Sequence, residues 1–396
     1  MAVLILTVTL NPAYDLTYRL PKFEYGAVQR IPAVEQRIGG KGINVARILT
    51  KLGHDCVAMG FADSAFAEEA ARELPVDFVT ALPRVRRTVV ISEADGTTTG
   101  LWEPGATLND PDAADLLRRR VADRLPRARG LVISGSLPGG ADPRLPADLA
   151  GLAIAADVPV ICDVEGEALR AAARVQGVVL MPNADELPVL TGVAPDAATA
   201  SPVRDSAAAH TAQGFAAARA AHEPAAAHTA HESAAAHAAQ DLAAIGTSQY
   251  AAVRRALDVA VALQRPLRLG VAAIVATRGR AGLVAAVQGA AWSAAASEAI
   301  TGNPTGAGDA AAAALIAGLA ALPKLPATVP EHGEWPEALR PGWLDARELD
   351  WPALLADVVA TSAAAVARPV AGEIDQDLRT RLTPAVRVTP VRTRPH

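Results

Sequence analysis

The sequence predicts an α/β protein: a mostly parallel sheet covered by helices on both faces, with a second, small sheet beside it. Three observations carry this. Short apolar runs alternate with helical stretches along most of the chain, the rhythm of strands buried on both faces. Segments 13–36 and 85–103 break that rhythm with alternating residues and turn signals, as strands of a separate sheet do. Finally, polar clusters sit just after the predicted strands, where open α/β sheets bind their ligands.

Taken in order, Val3 to Leu10 reads as a buried first strand closed by Asn11-Pro12. Segment 13–36 reads as short strands. Gly39-Gly40-Lys41-Gly42-Ile43-Asn44 is a glycine loop that enters an amphipathic helix ending near Gly53. A strand at Val57 to Phe61 and a helix at Ala65 to Leu74 follow, then two strands between Val85 and Trp102 around the turn at Asp95-Gly96. Ala113 to Leu125 is helical, and Gly130 to Ser134 is a strand ending in Gly135-Ser136. Val158 to Asp163 and Gly177 to Met181 are buried strands separated by a helix; Ala273 to Thr277 and Gly282 to Val287 form another pair. An apolar run from Ala310 to Ala321 and a stretch at 353–367 are helices.

Two stretches differ in kind. Residues 196–249 are dominated by Ala, His, Thr, Glu and Ser, and Ala-Ala-Ala-His-Thr-Ala occurs at both 207–212 and 225–230. Five of the eight histidines lie there, with no Cys nearby and no ligand pattern among the carboxylates, so the stretch reads as a low-complexity insertion, not a metal site. Pro323 to Pro352 holds three of the five Trp residues and many prolines and reads as an irregular surface excursion.

Bulk properties exclude several classes. A net charge of −5 argues against a nucleic-acid partner, which needs a basic surface. The two cysteines, Cys56 and Cys162, are far apart and not in C-x-x-C spacing, which points to a reducing, cytoplasmic setting. Met1 to Leu10 lacks the basic flank of a signal peptide. The longest apolar run, 310–322, is too short to cross a membrane.

The chemistry gathers at Thr305-Gly306-Ala307-Gly308-Asp309. Glycines let backbone N–H groups approach a ligand closely, and a helix start leaves N–H groups unpaired in positive potential. That suits a phosphate or a developing oxyanion. Asp309 reads first as an ordinary helix N-cap. A carboxylate in that place is also able to take a proton from a hydroxyl held beside the anion. The stretch fits a loose dinucleotide fingerprint, but the region after it is rich in Pro and Trp and offers no second strand with an acidic residue. No G-x-x-x-x-G-K-[ST] phosphate loop occurs.

The order Asn11-Pro12-Ala13-Tyr14-Asp15, Gly39-Gly40-Lys41-Gly42-Ile43-Asn44-Val45-Ala46-Arg47, Glu103-Pro104-Gly105, Ser134-Gly135-Ser136-Leu137-Pro138, Pro182-Asn183-x-x-Glu186-Leu187 and Thr305 to Asp309 resembles the ribokinase-like carbohydrate kinases. It is most similar to the phosphofructokinase-B branch with 1-phosphofructokinase and tagatose-6-phosphate kinase. The resemblance covers roughly residues 1–195 and 250–385. It implies a three-layer α/β/α sandwich with a small β lid, one kinase domain over 1–390 and a tail at 391–396. It also implies phosphorylation of a ketohexose phosphate by ATP with Mg²⁺, and a homodimer paired through the lid. In that reading Asp309 is the base, and Gly306, Ala307 and Gly308 form the anion hole. Asp15, Gly39, Gly40 and Asn44 meet the sugar, while Lys41, Arg86 and Ser136 meet its phosphate. Asn183, Thr277, Gly279 and Gly282 lie along the nucleotide. Glu186 holds Mg²⁺ through water, since Mg²⁺ keeps several waters and few carboxylates.

Three departures stand out. Met181 occupies the position of a usual lysine before Pro-Asn, Asp163-Val164-Glu165-Gly166 stands for Asp-Thr/Ser-Ser-Gly, and Pro304 stands where Thr is usual.

Overall fold

The computed structural model describes residues 3–32, 34–191, 259–260, 262–263, 267, 270–322 and 349–391. The expected insertion at 196–249 and most of the Pro/Trp stretch at 323–352 lie outside the described residues.

The main sheet has ten strands in the order β14-β13-β12-β11-β10-β9-β8-β1-β4-β5. These are β1 Leu4–Thr9, β4 Asp55–Ala62, β5 Val76–Thr80, β8 Gly130–Ser134, β9 Val160–Asp163, β10 Val179–Leu180, β11 Ala273–Thr277, β12 Leu283–Val287, β13 Ala290–Ala295 and β14 Arg387–Pro390. From β5 to β11 every junction is parallel; β11 to β14 are antiparallel. The expected pair at 273–287 is thus a hairpin, and it continues into two strands the sequence did not announce. β13 is Ala-Ala-Trp-Ser-Ala-Ala, with no β-branched residue to mark it.

β1 is central and its residues from Ile5 to Thr9 are buried, as a strand between two parallel neighbours must be. One face of the sheet carries α1 Lys41–Lys51, α7 Ala307–Ala320, α8 Trp351–Val366 and α9 Gln376–Leu382. The other carries α3 Ala113–Arg124, α4 Leu145–Ala155 and α5 Gly166–Ala172. Two short helices, α2 Ser64–Ala70 and α6 Leu187–Thr191, are also present. α7 is buried nearly all round, which a helix apolar on every side requires. Its small side chains let neighbours close in: a Cβ on Gly318 would fall 2.3 Å from Leu354 of α8.

The second sheet has the order β3-β2-β6-β7, from β2 Ala13–Leu20, β3 Val34–Gly39, β6 Arg86–Glu93 and β7 Thr98–Trp102. It uses the two segments that broke the α/β rhythm. Asp63 ties the start of β6 to the body: its carboxylate accepts from Phe66 N–H at 2.8 Å, capping α2, and from Val85 N–H at 2.6 Å, just before β6.

Several expectations need correcting. The helix expected at 65–74 ends at Ala70, and the following turn leads into the unforeseen β5. α8 begins at Trp351, not 353, with Asp350 accepting from Ala353 N–H at 3.0 Å. Trp351 therefore leaves the supposed excursion. It is buried and stacks on Trp292 with ring centres 6.0 Å apart. Asp15 lies inside β2 of the small sheet, within the segment expected to form short strands.

Candidate active site

The carboxyl ends of β1, β8, β9, β10 and β11 open on one side of the main sheet, and the glycine loop crosses above them. Gly40 has φ +111°, and a Cβ there would lie 2.8 Å from Thr9 Cγ2, so only glycine fits the turn into α1. Its carbonyl accepts from Ile43 and Asn44 N–H at 3.0 and 3.1 Å. The turn sets Lys41 over the end of β9, where its Nζ lies 3.2 Å from Asp163 Oδ1. Burial pulls the lysine pKa down, but Asp163, Glu186 and Asp309 outweigh it and hold the ammonium charged. The lysine side chain is still 41% exposed against 9% for Asp163, so solvent screens its outer end and the pair is open to exchange.

Asp309 does not cap its helix. The N-cap of α7 is Gly306, at φ +85°, and Asp309 is the third helical residue. A left-handed turn at Gly306 is open to glycine, and a Cβ there would sit 2.9 Å from Ala371 Cβ. The chain therefore enters the helix two residues earlier than the aspartate, which frees its carboxylate to turn inward. It is buried and Oδ2 accepts from Asn44 Nδ2 at 2.9 Å. Burial first, then the charges of Asp163 and Asp15, push its pKa up to about 7, against the pull of Lys41 and the Asn44 amide. A carboxylate poised there is suited to accept a proton near neutral pH.

Of the three N–H groups expected in the anion hole, that of Ala307 is already donated to Pro304 O at 3.2 Å. Gly308 is different. It needs no unusual φ, and a Cβ there would meet nothing within 4 Å. Neither backbone conformation nor packing accounts for a glycine here; an open approach to the helix start does.

Glu186 stands at the start of α6. Its Oε2 accepts from Asn183 N–H at 2.9 Å, while Asn183 Oδ1 accepts from the N–H groups of Asp185 and Glu186. The pair thus makes a reciprocal cap, and the side-chain oxygen of Asn183 is spent on the backbone. Burial, with Asp163 and Glu165, pushes Glu186 up to about 7, while Lys41 and the Asn183 N–H pull it down. Asp163, Glu186 and Asp309 all act on Lys41, and three carboxylates about one ammonium leave negative charge that a divalent ion would offset. Among the described residues no three His, Cys, Asp or Glu side chains could cage a metal. A Mg²⁺ that keeps most of its waters needs no such cage, and Glu186 is the carboxylate that would support one.

The small sheet supplies Asp15 and Arg86. Thr88 Oγ1 donates to Asp15 Oδ1 within the sheet. A Cβ on Gly39 would fall 2.0 Å from Asp15 Oδ2, so the glycine makes room for the carboxylate. Burial raises the Asp15 pKa, with Thr88, Arg47, Arg86 and Arg37 opposing. Arg86 Nη1 donates to Glu103 O at 3.3 Å. Asn11 Nδ2 donates to Ser136 Oγ at 3.0 Å, joining the ends of β1 and β8. Thr277 ends β11, bridging Asn183 through the backbone. Gly279 has φ +54° in a short 3₁₀ turn. Gly282 has a structural reason: a Cβ would lie 2.0 Å from Ala294 O of β13.

Sequence reasoning gave no role to Asp163 or Arg47. Asp163 carried a signal, a carboxylate ending a buried strand among otherwise apolar residues. Met181, by contrast, is a core side chain at 3% exposure; it takes no lysine's place at a phosphate.

Residues 8–222 match the pfkB family of carbohydrate kinases, more than half of the chain. The chain belongs to this family. A tagatose-6-phosphate kinase from Staphylococcus epidermidis is 30% identical over 191 residues, which is 46% of this chain and 61% of that relative. Less than two thirds of the relative's length is therefore spanned. Escherichia coli phosphofructokinase-2, solved with fructose-6-phosphate, superposes with a TM-score of 0.66 at 22% identity, covering 97% of this chain and 99% of that one. Arabidopsis thaliana ribokinase, solved with ribose and ATP, gives 0.56 at 16% over 97% and 99%. The fold is ribokinase-like. The family match stops short of α7, so for the Thr305 to Asp309 motif the likeness is one of fold.

Proposed function

We propose that the chain transfers the γ-phosphoryl group of ATP to a hydroxyl of a ketohexose phosphate: fructose 1-phosphate, fructose 6-phosphate or tagatose 6-phosphate. The observation that carries this is Asp309, a buried carboxylate with a pKa near neutrality, set three residues into a helix whose entrance Gly308 leaves open. The sugar oxygen attacks the γ-phosphorus, its proton passes to Asp309, and the bond to the β–γ bridging oxygen breaks to release ADP. Phosphoryl transfer asks the protein mainly to position and neutralise. Lys41, which the resemblance put at the sugar's own phosphate, is held charged beside Asp163 and Asp309; in this reading it faces the transferring charge instead, with the N–H groups at the start of α7. Mg²⁺ bound beside Glu186 supplies neutralisation of the nucleotide phosphate oxygens. Asp15 and Asn44 hold sugar hydroxyls, and Arg86 with Ser136 meets the phosphate already present, where a planar guanidinium donates two bonds together.

The small sheet acts as a lid that excludes water, a competing acceptor, and pairs with its copy in a homodimer working in the cytoplasm. Among the described residues no helix is long and apolar enough to cross a membrane. An acceptor panel with ATP and Mg²⁺ tests the reading. Turnover of one of the three phosphates well above free fructose, tagatose, ribose and nucleosides is expected; equal turnover of fructose and its phosphates sinks the phosphosugar assignment.

A further inference from the structure

Asp309 leans on an amide, and the amide leans on an arginine. Arg47, one turn after Asn44 on α1, is 7% exposed, rare burial for a guanidinium. Its Nη1 donates to Asn44 Oδ1 at 3.4 Å, and its Nη2 donates to Glu73 Oε2 at 2.7 Å. Glu73, just past α2, is 42% exposed. A chain of contacts therefore runs from the surface through Arg47 and Asn44 to Asp309.

The chemistry of the two ends fixes the middle. An ionised carboxylate only accepts and a guanidinium only donates. Between them a carboxamide has one workable orientation, oxygen to Arg47 and NH₂ to Asp309. Without the arginine the amide is free to turn over, which would set its oxygen against the carboxylate. Gly372 closes the arrangement from above. It has φ +77°, and a Cβ there would come within 3.1 Å of Arg47 Cδ and 3.2 Å of Asn44 Oδ1, so its backbone lies directly across the pair. The adjoining Ala371 abuts Gly306, which ties the same turn to the helix entrance. An ion pair with Glu73 alone does not account for the burial: a surface pair contributes little, and drawing a guanidinium inward costs more than such a pair returns.

We infer that Arg47 is a positioning residue for phosphoryl transfer: it holds the Asn44 side-chain amide in the one orientation that donates to the Asp309 carboxylate. The inference rests on the reading of Asp309 as the base. Arg47 touches neither sugar nor nucleotide in it; it acts on Asp309 through Asn44, while its charge also reaches Asp15.

The test combines kinetics with a signal that does not depend on turnover. In Arg47→Met the side-chain ¹⁵N–¹H pair of Asn44, assigned by its loss in Asn44→Ala, is expected to shift or broaden. The kcat is expected to fall about 10- to 100-fold with the KM for ATP unchanged. Arg47→Met and Asn44→Ala together are expected to cost no more than Asn44→Ala alone, because both remove one device. An unmoved Asn44 amide signal, or losses that multiply in the double variant, overturns the inference. If Arg47→Met does not fold, Glu73→Ala decides: releasing the outer anchor is expected to lower kcat about 2- to 5-fold and move the same amide signal, and an unmoved signal overturns it. Asp309→Asn separates this from the parent reading. If that variant keeps its turnover the base assignment falls, while the amide signal still reports whether Arg47 orients Asn44.

Discussion

The mouth of the main sheet and the small sheet that faces it handle charge and apolar surface in opposite ways. At the mouth, Asp163, Glu186 and Asp309 are all buried, and their charges are felt strongly by one another and by Lys41. The small sheet and its β2–β3 connection instead leave large apolar groups in solvent: Tyr25 at 98%, Val28 at 97%, Leu101 at 56% and Trp102 at 42%. The contrast separates two tasks. The body stores electrostatic strain where phosphoryl charge must be met, and its core holds the groups in place. In the proposed reading the small sheet is a lid that contributes a few sugar contacts, and its exposed apolar surface is where a second copy would pair.

The sharpest way to break this comparison is Asp309→Asn. If the body carries the chemistry, kcat falls at least about 100-fold, while calorimetric titration shows both substrates still bound. The wild-type kcat/KM is expected to fall as pH drops below about 7, since Asp309 works only when ionised and its folded pKa is raised to about 7. Stability runs the other way. A carboxyl whose folded pKa lies above its unfolded value binds its proton more tightly when native. That stabilisation is present below the unfolded pKa and is lost as pH rises through about 7. Asp309→Asn is thus expected to melt higher than wild type at pH 8, with the gap narrowing towards pH 5. A wild-type melting temperature that rises steadily from pH 5 to 8, with the variant tracking it, would show the carboxylate unstrained.

Glu186→Gln tests the excess charge at the mouth. The amide keeps the acceptor for Asn183 N–H, so the local cap survives. Mg²⁺ requirement for half-maximal rate is expected to rise about 10- to 100-fold, the usual cost of disturbing a metal's supporting groups. A Mg²⁺ titration superimposable on wild type would remove Glu186 from that role.

Much of the fold is legible in the sequence. The glycine loop, the two lid segments and most of the parallel strands follow from periodicity and turn residues, because those patterns are local. What stayed hidden was set by tertiary context. β5, β13 and β14 are short or alanine-rich strands whose existence depends on a neighbouring edge. In α4, Leu-Pro-Ala-Asp-Leu-Ala-Gly-Leu-Ala-Ile-Ala gives no clear helical period to read. At the site, the sequence marked Asp309 but placed it at the helix cap, since the left-handed turn that starts the helix at Gly306 depends on the fit against Ala371. Asp163 and Arg47 were missed for a related reason. Each acts on a residue distant in the sequence or buried beside it, and no spacing rule announces such a pairing.

On the lid side the expected effect is smaller. Asp15→Asn keeps an acceptor for Thr88 and removes the buried charge. The sugar KM is expected to rise about tenfold, with the KM for ATP and the response to Mg²⁺ unchanged. A change in ATP affinity of the same size would mean that the lid and the mouth are not separate devices.

The smallest effect on the isolated chain, and the most telling for the lid, is expected from Tyr25→Ser with Val28→Ser. Both side chains are almost wholly exposed, so within one chain they bury nothing to lose, and substitutions at such positions usually change stability by no more than about 0.5 kcal/mol. Single exposed apolar residues are ordinary, but these two share one connection, and the lid sheet beside it exposes Leu101 and Trp102. Apolar surface concentrated on one part of a molecule marks a place that something covers. If a second lid covers it, sedimentation velocity is expected to show the double variant shifted towards monomer, with an unchanged melting temperature at high dilution. If instead the variant keeps the wild-type sedimentation coefficient at every concentration, Tyr25 and Val28 take no part in self-association. The exposed lid would then require another account, and the contrast between a finished mouth and an unfinished lid would lose its second half.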